Sequence, residues 1–323
     1  MRAVLAAFLS FFPASALAGP PTLSFPLDCT LGETCFVQQY VDRDATSDSQ
    51  DFTCGPLSYD GHKGTDIRLP HYRDILGDGV QVRASASGVV LGTRNSMRDI
   101  VQGAKGAPDI SGRECGNGVV IDHGQGWHTQ YCHMRQGSIS VSTGQSIQQG
   151  QALGLVGLSG KTEFPHLHVK VSKDGKVIDP FDINDNGKCG KTSAGQLWQP
   201  PIPYQPGGFL SADFASVVPS FPQVKQGLTP VPVLPKDALA LIVWGFLFGV
   251  LKNDILEINI NFPDGTTLFK QARAFERNQA QAYRLGGKRL TKSSWPTGEY
   301  LATLTLLRDG AILSKRALSL TVQ

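Results

Sequence analysis

The sequence predicts a mainly β protein, an antiparallel β-sheet domain followed by a C-terminal β-sandwich, and three observations carry that reading. Between residues 55 and 183, short runs rich in β-branched and aromatic residues alternate with glycine-containing turns. A proline-rich stretch then interrupts the chain at 190–236. Beyond it apolar and polar residues alternate strictly again, at Leu256, Ile258, Ile260 and Phe262 and at Leu318, Leu320 and Val322. A chain of 323 residues accommodates two domains with separate cores. Its formal net charge of +3 calls for neither nucleic acid nor an anionic membrane surface as partner.

In chain order, Arg2, the apolar run 3–12 and the small-residue site Ala16-Leu17-Ala18 read as a secretory signal peptide over residues 1–18. Residues 19–54 then form a loop-rich lead-in with two cysteines and an aperiodic polar stretch at 42–51. Export permits disulfides, so Cys29, Cys35, Cys54, Cys115, Cys132 and Cys189 are read as three bridges rather than as zinc-binding thiolates, there being no Cys-x-x-Cys pair. Six cysteines allow about fifteen pairings. The reading taken here is Cys29 with Cys35 as a local loop and Cys115 with Cys132 across a hairpin, which leaves Cys54 with Cys189.

The β domain spans 55–189, with strand runs at 79–90, 118–123, 128–133, 151–156 and 166–171. The segment 93–114, charged and rich in glycine, reads as a surface insertion bordering a substrate cleft. Residues 190–236 read as a semi-extended linker and 237–323 as the sandwich. Within the latter, the apolar run 238–251 is too short to span a bilayer and suits a buried strand pair, and Asp264-Gly265 marks a hairpin turn. Stable membrane insertion is not expected.

Three segments carry chemistry. On a strand through Pro165-His166-Leu167-His168-Val169-Lys170-Val171, side chains alternate, so His166, His168 and Lys170 share one face while Leu167, Val169 and Val171 pack on the core. His62 and Asp66, four residues apart, share a face of an extended segment. Adding one histidine from 166–168 gives three zinc ligands and an open fourth position, the catalytic rather than the structural pattern; spacing does not choose between His166 and His168. The run His128-Thr129-Gln130-Tyr131-Cys132-His133 points Tyr131 and His133 to one side together. His71, His123 and His128 have no partner pattern and read as surface or structural residues.

The segment 61–171 resembles the lysostaphin-type peptidoglycan endopeptidases, metallopeptidase family 23. The ordered elements are His62-x-x-x-Asp66, Val82-Arg83-Ala84-Ser85-Ala86-Ser87-Gly88-Val89-Val90 and Gly116-Asn117-Gly118-Val119-Val120-Ile121-Asp122-His123-Gly124. They continue with Thr129-Gln130-Tyr131-Cys132-His133-Met134, Val141-Ser142-Thr143-Gly144-Gln145, Gly150-Gln151-Ala152-Leu153-Gly154 and Pro165-His166-Leu167-His168. The resemblance implies an antiparallel, duplicated-hybrid-motif-like groove, one Zn2+ per chain held by His62, Asp66 and His168, and proton-transfer and oxyanion roles for His133 and His166. It further implies hydrolysis of amide bonds in the peptide stems or crosslinks of peptidoglycan by a periplasmic or secreted enzyme. The alternative is a non-catalytic envelope regulator or wall-binding protein that activates another cell-wall hydrolase, contacting that envelope partner through the retained site or the C-terminal domain. The chain departs from the family in placing Val169 and Lys170 where an aromatic and an acidic residue commonly follow the last histidine. Lys170, on the histidine face, bears on which substrate charge is accommodated.

Overall fold

The structure, a computed structural model, describes residues 19–183, 189–190 and 195–323; the segment expected as a signal peptide, residues 1–18, lies outside the described residues. Its first half is built on β1 (Phe36–Gln39), β2 (Thr65–Arg68), β3 (Gln81–Arg83), β4 (Gly88–Arg94), β5 (Asn117–Asp122), β6 (Trp127–Met134), β7 (Ser146–Ile147), β8 (Ala152–Leu155), β9 (His166–Lys173) and β10 (Lys176–Ile178). These make an eight-stranded antiparallel sheet of order β1-β2-β9-β6-β5-β4-β7, with β10 folded onto β9, beside a small β3-β8 pair. The expected run 79–90 thus divides: β3 leaves to pair with β8, and β4 begins at Gly88 in the main sheet.

The alternation of β9 is realised as expected: Leu167, Val169 and Val171 are buried in the core with Ile67, Val119, Ile121 and Tyr131. Register does the rest. Pairing of β2 with β9 sets Asp66 opposite His168 and Arg68 opposite His166, and pairing of β6 with β9 sets Cys132 opposite His168. The insertion between β4 and β5 carries no strand. All three disulfides, Cys29–Cys35, Cys54–Cys189 and Cys115–Cys132, form with the expected pairing. The lead-in is less loop-like than expected, because β1 extends the sheet beside β2.

The second half contains β11 (Gly208–Ala215), a short helix α1 (Phe221–Gln226), β12 (Val233–Leu234), β13 (Ala240–Val250), β14 (Ile255–Asn261), β15 (Thr267–Ala274), β16 (Gln279–Arg289), β17 (Gly298–Arg308) and β18 (Ala311–Val322). A three-stranded sheet, β11-β13-β16, packs on a five-stranded one, β12-β18-β17-β14-β15, around a core that includes Leu241, Val243, Leu304 and Leu306. Two expectations are corrected. The stretch 190–236 is not a free linker, since β11 pairs along β13 and β12 pairs with β18; proline density hid an eight-residue strand that contains no proline. The apolar run 238–251 is one strand rather than a pair. Its eleven residues are all buried because β13 lies between β11 and β16 and is covered on both faces.

That double covering joins the two halves. Leu241, Val243 and Leu247 face the sandwich core, whereas Trp244, Phe246 and Phe248 form a separate cluster with Phe36 of β1 and Val224 of α1. The Phe36 and Phe248 rings lie 5.5 Å apart, and the buried Arg68 guanidinium sits 4.7 Å from the Phe164 ring and 5.3 Å from that of Phe246. The sandwich is therefore packed against the strand that carries Asp66.

Candidate metal centre

His62 is fixed before β2 begins. Gly61, with φ +71°, turns the chain, and the His62 Nδ1–H donates to the Tyr40 carbonyl in the lead-in at 2.6 Å. A carbonyl can only accept, so the tautomer is set and the Nε2 lone pair is free to face the site. That nitrogen lies 3.1 Å from Asp66 Oδ1 and 3.2 Å from His168 Nδ1; Asp66 Oδ1 and His168 Nδ1 are 2.8 Å apart. Donor atoms of the three residues all lie within 4.8 Å of one another. His168 turns Nδ1 inward because its Nε2 edge is pressed against Gly64, where a Cβ would stand 2.5 Å away.

His133 and His166 stand beside this group, their rings 4.6 Å apart, with His133 5.9 Å from His168. His133 Nδ1–H donates to the Ser159 carbonyl at 2.8 Å, and His166 Nδ1–H to the Phe164 carbonyl at 2.9 Å with Thr162 Oγ1 at 3.0 Å. Each therefore presents a bare Nε2, and that of His166 lies 3.6 Å from Asp66 Oδ1. The expected pairing of Tyr131 with His133 is corrected. Tyr131 is in the core, its hydroxyl bonded to Ser85 N and Thr129 Oγ1, while His133 lies in the cleft with Gln130 and Cys132. Left-handed backbone at His133, φ +61°, ends the strand alternation there.

Among the other histidines, His71 is buried with Nε2 on Ser211 Oγ of the sandwich, and His123 bridges Ser87 O and Thr129 Oγ1. Neither these nor His128 belongs to the His62, Asp66 and His168 group.

Electrostatics separates the five residues. Burial opposes charge on Asp66, but His62, His166 and His168 outweigh it and hold the carboxyl well below the usual carboxylate range. Burial likewise opposes charge on His62, yet Asp66 and the Tyr40 carbonyl prevail and raise its pKa. Burial lowers the pKa of His133 well below the ordinary imidazole value, helped by His166 and His168, and burial also lowers that of His166. His133 and His166 are thus neutral bases beside a buried anion.

Zinc suits this donor set. Imidazole nitrogens and a carboxylate oxygen are ordinary zinc ligands, and separations of 2.8 to 3.2 Å approach the ~3.3 Å edge of a tetrahedron with ~2.0 Å bonds. Among the described residues the Asp66 carboxylate has no lysine or arginine partner, only imidazoles. The raised pKa of His62 reflects the positive charge that the buried Asp66 carboxylate favours there, a charge a bound cation would supply. The centre opens into a cleft of about 810 Å3 whose lining includes His62, His133, His168 and Lys170. Residues of the insertion, Arg113 and Glu114, border it as expected, and no described residue of the lead-in or the sandwich does.

Residues 60–180 match the model of peptidase family M23. That segment is an M23 peptidase domain. The chain is 32% identical over 123 residues to the peptidoglycan DD-endopeptidase ShyA of Vibrio cholerae serotype O1, covering 38% of this chain and 23% of that protein. It is 30% identical over 122 residues to the DD-carboxypeptidase/endopeptidase Mpg of Neisseria meningitidis serogroup B, covering 38% and 22%. The chain thus spans less than a quarter of the length of either curated relative. A zinc containing peptidase from Vibrio cholerae superposes with a TM-score of 0.29 at 24% identity, over 46% of this chain and 39% of that one. The M23 domain includes all five residues singled out in the sequence.

The sequence did not disclose what orients the M23 site. The carbonyls of Tyr40, Ser159 and Phe164 fix three ring tautomers, and backbone carbonyls leave no trace in residue identity. Gly64, which makes room for His168, did carry a signal, as a glycine between His62 and Asp66 in a segment otherwise read as extended.

Proposed function

We propose that this protein is an exported zinc endopeptidase that hydrolyses amide bonds in the peptide stems or crosslinks of bacterial peptidoglycan. The carrying observation is the convergence of a His62, Asp66 and His168 donor set with two neutral imidazoles at one cleft. His62, Asp66 and His168 would hold the ion, which when bound supplies a Lewis acid for the scissile carbonyl and an acidified water. His133 and His166 present Nε2 lone pairs on the same side, held by carbonyl bonds at Nδ1. One would take the proton from the attacking water and, so protonated, return it to the leaving amine, while the other, having taken up a proton from solvent, would support the developing oxyanion.

The name of one curated relative, the peptidoglycan DD-endopeptidase ShyA, supports wall peptide as substrate. Three disulfides fit an oxidising compartment outside the cytoplasm. The sandwich stands clear of the cleft and is assigned a tethering role toward wall or an envelope partner. An intact donor set weighs against a purely regulatory protein. Mass analysis of purified peptidoglycan digested by the mature, zinc-loaded chain tests the proposal. New amine termini in stem or crosslink peptides, absent after chelation, are expected; undigested wall from folded, zinc-loaded protein would overturn it.

A further inference from the structure

The cleft beside the metal centre is unevenly charged. Five basic side chains, Lys63, Arg94, Arg113, Lys161 and Lys170, line it against two acidic ones, Asp60 and Glu114. Among the described residues none of the five is joined to a carboxylate by a salt bridge. Four of them are exposed at the rim, whereas Lys170 is half-buried on the floor.

Its place on the floor follows from register. Lys170 lies opposite Gln130 of β6, Gln130 opposite Val120 of β5, and Val120 opposite Gly92 of β4, and all four line the cleft. This row runs across the sheet parallel to the one that contains His168 and Cys132. The other three floor residues of the row are uncharged, so an extended substrate crossing the sheet meets one fixed charge there. Two residues along a strand correspond to about 6.6 Å, which separates Lys170 from His168 by roughly two residues of an extended peptide.

We infer that Lys170 is a specificity-determining residue whose ammonium receives a free carboxylate on a residue flanking the scissile amide, and that the substrate is accordingly an acidic peptide. This rests on the endopeptidase reading above and narrows its substrate class. Arg94, Arg113, Lys63 and Lys161 supply the surrounding positive field that favours entry of such a peptide. A charge-assisted hydrogen bond from a half-buried ammonium is worth a discrimination on the order of tenfold against a neutral amide.

The test uses the zinc-loaded full chain and pairs of synthetic peptides that differ only in a free α-carboxylate or its carboxamide, placed in turn on each residue flanking the scissile amide. The wild type is expected to cleave the carboxylate member of at least one pair with kcat/KM roughly tenfold higher. Lys170→Met should equalise that pair and Lys170→Glu should reverse it, with zinc content unchanged. Equal cleavage within every pair by the wild type overturns the inference alone, as does a preference that survives in Lys170→Met. Cleavage of no peptide overturns the endopeptidase reading and the inference with it.

Discussion

Replacing Gly64 by alanine adds one methyl group, and the structure says where it goes. A Cβ at this position would lie 2.5 Å from His168 Nε2, 2.6 Å from its Cε1 and 2.8 Å from the Val169 carbonyl oxygen. Ordinary contacts between such atoms are about 3.5 Å or more, so the imidazole must retreat by on the order of 1 Å. The strands cannot simply part, because Thr65 and Asp66 pair with Val169 and His168 in the β2–β9 ladder. The ring moves instead, and takes Nδ1 away from the point it shares with Asp66 Oδ1 and His62 Nε2. Gly64 does not use left-handed backbone, so the effect is one of contact rather than of chain strain. Disturbing a ligand's orientation typically costs 10- to 100-fold in metal affinity, about 1.4 to 2.8 kcal/mol. Competition for zinc against a chromophoric chelator, with circular dichroism to confirm folding, measures it. A folded Gly64→Ala protein that binds zinc as tightly as the wild type would refute the claim that His168 meets the metal through Nδ1.

Opening the Cys54–Cys189 bridge with Cys189→Ser releases a loop of 135 residues, worth up to about 5 kcal/mol by chain entropy; the urea midpoint should fall while zinc affinity holds, and an unchanged midpoint would contradict this. His133 is neutral in the fold with a lowered pKa and has an ordinary value near 6.5 when unfolded, so its contribution to stability is present above about pH 6.5 and is lost on acidification. In the metal-free protein, stability should therefore decline from pH 7 to 5 more steeply than in His133→Gln, by up to about 1.4 kcal/mol per pH unit, and parallel curves would contradict the assignment. Ending the chain at residue 207 would expose Phe36 and Arg68, now 3% and 1% exposed, and strip β13 from both. Phe246→Ala is the milder version, expected to cost about 3 to 5 kcal/mol in a denaturant titration, and a loss below 1 kcal/mol would show that the two halves do not depend on each other.

The parts of this account that the sequence disclosed are those set by side-chain period. Alternation in 165–171 placed His168 toward a partner and Leu167 toward the core, and β2–β9 register then brought Asp66 to His168 as the grouping of those residues anticipated. The family resemblance, not spacing, chose His168 over His166 as a ligand; in the structure the donor atoms of His62, Asp66 and His168 all lie within 4.8 Å of one another. Illegible were features that rest on backbone atoms or on contacts distant in sequence. Alternation alone carried Tyr131 to the same side as His133, because nothing in the residue type announced left-handed backbone at a histidine. The run 238–251 looked like two strands, since a strand covered on both faces loses the period that marks one. Prolines around 190–236 masked β11, whose own residues 208–215 alternate weakly.

The central claim is that His62, Asp66 and His168 hold a zinc ion on which His133 acts without being a ligand. Measuring bound zinc and peptidoglycan hydrolysis together in the wild type, His168→Ala and His133→Ala decides it. One zinc per chain with hydrolysis in the wild type, zinc and hydrolysis both lost in His168→Ala, and zinc kept but hydrolysis lost in His133→Ala is the predicted result. Full zinc binding and hydrolysis in folded His168→Ala, or loss of zinc from His133→Ala, would contradict it.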